Sequence, residues 1–113
     1  MLTLPIKKKW FDMILSGEKK EEYRAITPYW TKRFQSIVLV DNYGLPLIRE
    51  CRIIKLRAGY SKNVPEAKVA VSISKGTGKP EWGAEPGTVY WVLTIEEILT
   101  GGKDDTDNAK QRI

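Results

Sequence analysis

LTLPIKKKWFDMILSGEKKEEYRA, residues 2–25, changes its hydrophobic period twice. LTLPI (2–6) reads as a short strand. Ile6, Trp10, Met13, Ile14 and Gly17 then fall on one stripe of an amphipathic helix. The spacing predicts a helix around residues 7–16, packed through Trp10, Met13 and Ile14 and ended by Gly17 in a left-handed cap. EKKEEYRA (18–25) follows as an extended segment. Strand, helix and strand therefore succeed one another within the first 25 residues.

Outward from there, Pro28 opens a second short helix, PYWTKRF (28–34), at a favoured first position. The period then changes to that of strands. SIVLVDNYG (36–44) is a β-branched run ending in a turn signal, and LPLIRECRIIKLRAGY (45–60) reads as one long, bent strand. KVAVSIS (68–74) alternates, with Val69, Val71 and Ile73 on one face, and TVYWVLTI (88–95) is the last strand. EEIL (96–99) is expected to add one helical turn. GGKDDTDNAKQRI (101–113) has almost nothing apolar to bury and is expected to be a disordered tail. Five or six strands without alternating helices predict an α+β, mainly β domain over residues 1–100. Its expected form is a small curved antiparallel barrel with one or two helices near the N-terminus.

The 113 residues suffice for one domain, and no apolar run approaches the ~20 residues of a membrane-spanning helix. The N-terminal lysines follow the apolar stretch, the wrong order for a secretory signal, so a cytoplasmic location without membrane contact is expected. The chain has no histidine, which excludes an imidazole-activated nucleophile and a histidine-ligated zinc. A zinc deaminase is excluded with them. Cys51 is the single cysteine: it can form no intrachain disulfide and reads as a small buried filler. No metal or cofactor is expected, and a monomer is the default. Any catalysis rests on Lys, Glu, Asp, Arg, Thr, Ser or Tyr.

The net charge is +5, and residues 1–33 hold eight bases against four acids. The positive excess thus belongs to the N-terminal third and leans toward a polyanionic partner. Within it, GEKKEEYR (17–24) breaks the pattern of a core strand. Alternation puts Lys20, Glu22 and Arg24 on one face and Glu21 and Tyr23 on the other, with Lys19 at the corner. A carboxylate and a guanidinium occupy positions where apolar side chains should meet a core. Such a face either carries an ion pair tying the strand to its neighbours or lines a polar cleft.

LPIKKKWFDMILSGEKKEEYR (4–24) resembles the opening of the ASCH domain family, a branch of the PUA-like barrels. The family pattern G-x-K-x-x-E-x-R is matched by Gly17, Lys19, Glu22 and Arg24. The resemblance implies a PUA-like β-barrel with a cleft beside the motif, binding RNA or a nucleotide. Some relatives are amidohydrolases acting on N4-acylated cytidine through a Lys, a Thr and a Glu, and others are ribonucleases. By alignment, the Thr of those amidohydrolases falls where this chain has Glu22, which leaves no hydroxyl nucleophile in the strand beside Lys19.

A second unusual stretch, SKGTGKPEWGAEPGT (74–88), joins two strands and is longer than an ordinary hairpin loop. It lacks the glycine-lysine-hydroxyl spacing of a P-loop. Trp82 reads either as a stacking platform for a base or as a lid on the barrel end. Trp10 and Trp91 read as core, and Tyr29 and Trp30 fit either role. Three functions follow from these residues. The first is a binding module holding RNA, a nucleotide or a modified nucleoside with Lys8, Lys19, Glu22, Arg24 and Trp82. The second is a small hydrolase in which Lys19 and Glu22 are catalytic and move a proton. The third is a partner-binding domain with an idle cleft.

Overall fold

The computed structural model describes residues 1–36, 43 and 51–101. Most of the expected strand at 36–44, the first part of the one at 45–60 and, after Gly101, the expected tail 101–113 lie outside the described residues. The chain forms strand β1 (Thr3–Pro5), helix α1 (Lys8–Leu15), β2 (Glu21–Ala25), α2 (Pro28–Gln35), β3 (Arg52–Arg57), β4 (Glu66–Thr77) and β5 (Val89–Gly101). The strands make one curled half-barrel sheet in the order β1-β3-β4-β5-β2, with β1 parallel to β3 and the other pairings antiparallel. It is a small α+β domain made mostly of strands. Among the described strands, β1 and β2, close in sequence, are the two edges of the sheet.

Both helices form for local reasons. In α2 the Thr27 hydroxyl accepts from the Trp30 amide at 3.2 Å and Pro28 occupies the first turn, where its missing N–H is harmless. α1 ends as expected at Gly17, whose φ of 86° suits a residue without Cβ. The buried stripe of α1 differs from the expected one. The helix begins at Lys8; Ile14 of the expected stripe is buried, and Phe11, outside that stripe, is the other buried residue. Trp10 and Met13 are only half-buried.

The main core lies on the concave face, where Leu4, Phe11, Ile14, Phe34, Ile54, Leu56, Val71, Trp91 and Leu93 pack together. A smaller cluster of Tyr23, Ala84 and Val92, backed by Trp82 and Tyr90, sits on the opposite face under the β4–β5 loop. Two further expectations are corrected. Glu96–Leu99 is not a helical turn but the continuation of β5, pairing with β4 as far as Ala67↔Gly101. Register shifts at Lys68/Val69 and Ala70/Val71 break the period-two alternation there, which is why the sequence loses its strand pattern. Cys51 is exposed rather than buried, because it precedes β3 instead of lying within it.

Candidate functional site

β2 is an edge strand whose residues meet the two faces of the sheet alternately. Glu22 lies opposite Leu93 and Arg24 opposite Trp91, so both side chains stand on the core face. Tyr23 lies opposite Val92 on the other face. A carboxylate on a core face is costly unless it is paired. Glu22, with 7% of its side chain exposed, is paired twice: Oε1 is 2.9 Å from Lys19 Nζ and Oε2 is 2.6 Å from Arg24 Nη1.

Lys19 is fixed at the corner by its backbone amide, which donates to Met13 O of α1 at 3.0 Å. Its side chain is fully buried, and its ammonium donates to the Glu21 carbonyl and, at 3.1 Å, to the Trp82 carbonyl as well as meeting Glu22. Those three partners use its three protons. Burial holds the Lys19 amine below its usual basicity and Arg24 adds to the effect, while Glu22 works against both.

Arg24 joins the two edges of the sheet. Nη1 donates to Glu22 and to the Tyr23 carbonyl at 2.6 Å, and Nη2 donates to the Pro5 carbonyl of β1 at 2.8 Å. The Trp30 ring of α2 braces the guanidinium from 5.3 Å. Two of the five Arg24 N–H groups have no partner among the described residues.

Where a closed barrel would pair β1 with β2, a cleft of about 430 Å³ opens instead. Pro5, Ile6 and Lys7 form one wall, Glu22, Tyr23 and Arg24 the other. Trp10, Trp82 and Tyr90 add aromatic surface, and Gly59 and the exposed Tyr60 of the β3–β4 turn reach it from the side. Tyr23 is held by its hydroxyl, which donates to Glu21 Oε1 at 2.7 Å and accepts from the Lys79 amide at 2.9 Å. Burial raises the Tyr23 phenol above its usual range. Lys9 and Lys79 lie over the rings of Trp10 and Trp82, at 4.6 and 4.7 Å from their centres.

Of the residues expected at a site, Glu22, Arg24 and Trp82 line the cleft. Lys19 belongs to the same ion-paired cluster but stands behind Glu22 and is not part of the wall. Lys8 is exposed and pairs with Asp12 at 2.7 Å; its neighbour Lys7 is the lysine on the wall. Trp10, expected in the core, packs against the core cluster but is only half-buried and also lines the cleft. Trp91 is core as expected, with its indole N–H donating to Thr31 Oγ at 3.1 Å. Sequence reasoning also missed Lys7, Tyr23, Tyr60 and Tyr90. For Tyr23 and Tyr90 a signal exists, since both are aromatic residues on strand faces turned away from the core, and their rings lie 5.6 Å apart. Comparison with known families, curated proteins and solved structures finds none that matches the chain. No group of residues able to hold a metal ion occurs among the described residues. No helix among them is long and apolar enough to cross a membrane.

Proposed function

We propose that this protein is an RNA- or nucleotide-binding domain of the ASCH kind, built on a PUA-like half-barrel and acting in the cytoplasm. The observation that carries this reading is the cleft at the open seam. Its volume lies within the range of about 300–1,000 Å³ usual for small-ligand sites. Tyr23, Trp82, Trp10 and Tyr90 offer faces for a planar base, at roughly 1–3 kcal/mol per stacked base. Arg24 keeps two N–H groups to donate to a phosphate or a base carbonyl, and Glu22 accepts from an exocyclic amine or a ribose hydroxyl. Lys7, Lys9 and Lys79 make the surroundings cationic, which favours an anionic ligand over a cationic one.

The hydrolase alternative asks Lys19 or Glu22 to exchange a proton with the substrate. The closed donor set of Lys19 favours binding over that chemistry. The test is fluorescence anisotropy with a labelled single-stranded RNA of mixed sequence, together with nucleoside monophosphates and N4-acetylcytidine as competitors. Arg24→Ala and Trp82→Ala are expected to weaken binding tenfold or more, and Lys68→Ala, an exposed lysine on β4, to change it less than twofold. Equal small losses from Arg24→Ala and Lys68→Ala, with none from Trp82→Ala, would leave only non-specific charge. Turnover of any competitor that disappears in Lys19→Ala would replace the binding reading with the hydrolase.

A further inference from the structure

In the β2–β5 ladder the Lys20 carbonyl accepts from the Ile95 amide at 2.9 Å. Antiparallel pairing alternates, so the backbone groups of Glu21 and Tyr23 point away from β5, toward the open edge of the sheet. Edge carbonyls invite pairing with another strand unless something covers them. Here side chains cover them: Lys19 takes the Glu21 carbonyl and Arg24 takes the Tyr23 carbonyl. The last proton of Lys19 goes to the Trp82 carbonyl, 63 residues away in the β4–β5 loop.

That loop has few other ties to the sheet. Lys79 N donates to the Tyr23 hydroxyl and Glu85 N to the Tyr90 hydroxyl, each at 2.9 Å, while Ala84 packs into the small outer cluster. Trp82 itself sits in a single 3-10 turn, Pro80–Trp82, which is too short to hold its own position. We propose that Lys19 is a positioning residue, which latches the Trp82 turn to the edge of β2 and acts on a cleft ligand through the Trp82 wall and through its ion-pair partner Glu22. The motif lysine thereby shapes the site without touching what fills it. This rests on the cleft being the binding site, but the latch itself exists in the free protein.

The test begins without ligand. In Lys19→Met, amides of residues 81–84 are expected to exchange with solvent at least tenfold faster, with no matching change in the β3–β4 ladder. Binding of the labelled RNA is expected to weaken in Lys19→Met and in Trp82→Ala, and the Lys19→Met loss to be smaller in the Trp82→Ala background. Unchanged loop exchange overturns the proposal, as does a Lys19→Met loss of the same size with and without the Trp82 ring. Faster loop exchange in a protein that binds no RNA upholds the latch and counts only against the ligand class. If Lys19→Met does not fold, reductive methylation of the unaltered protein and of Gly78→Ala provides the second measurement. Lys19 is expected to react at least tenfold more slowly than Lys79 in the unaltered protein, and to speed up in step with loop exchange in Gly78→Ala. Reaction of Lys19 as fast as Lys79, or a Lys19 rate that ignores the loosened loop, overturns the proposal.

Discussion

Glu22 is the carboxylate on which the two motif cations converge. Replacing it by Gln leaves Lys19 and Arg24 facing each other in a buried site, and breaking such a pair from one side typically costs about 3–5 kcal/mol. Chemical denaturation of Glu22→Gln should read that loss at neutral pH. Tyr23 and Lys19 give the fold opposite responses to alkali. The folded protein holds the Tyr23 proton above the phenol's usual range, so its contribution is intact below pH 10, the unfolded value, and falls as pH rises past it. Lys19 releases its proton in the folded state below 10.5, so between its lowered value and 10.5 rising pH adds stability. Denaturation midpoints followed over roughly pH 8–11 should show Tyr23→Phe losing the alkaline decline. At neutral pH the same variant should cost about 1–2 kcal/mol through its two lost hydrogen bonds.

The β4–β5 loop is the element most exposed to a single-atom change. A Cβ on Gly78 would stand 2.6 Å from both Ala84 Cβ and Tyr23 Cζ, so neither neighbour can stay in place. Gly78→Ala should destabilise by about 1–3 kcal/mol and loosen residues 79–88 first, as amide exchange would show. Among the elements, α2 was legible from Pro28 because the preference of proline for the first helical turn is local. The face of α1 was misjudged at Trp10: successive residues lie about 100° apart on a helix, and the buried face is centred on Phe11 and Ile14. The length of β5 was hidden by the register shifts, and the parallel pairing of β1 with β3 leaves no mark in either strand. The site divides in the same way. Glu22 and Arg24 stood out as charges on a core-facing period, whereas the link from Lys19 to Trp82 joins residues that no spacing rule connects. Of the aromatic wall, Trp82 was legible as a candidate stacking platform, whereas Tyr23 and Tyr90 came together only through the pairing of β2 with β5.

At the scale of the whole molecule, the concave core and the cleft share the two end strands. Trp91, fully buried beside Phe34, anchors that core, and Trp91→Ala should cost about 3–5 kcal/mol in thermal or chemical unfolding. The cationic surroundings of the cleft set a second global property. The logarithm of the RNA-binding constant should fall linearly with the logarithm of salt concentration, with a slope of about −0.7 per phosphate neutralised. Lys79→Ala should reduce that slope, while Lys8→Ala, whose charge is already answered by Asp12, should leave it nearly unchanged. The pairing order of the sheet also has a consequence in time. β2 waits for β5, β1 waits for β3, and Lys19 waits for Trp82. Each of these closures spends chain entropy before any contact rewards it, so folding is governed by distant encounters. During synthesis the cleft therefore has no precursor: a nascent chain stalled at Thr88 already carries the whole G-x-K-x-x-E-x-R motif and Trp82, yet has no strand beside which to assemble them.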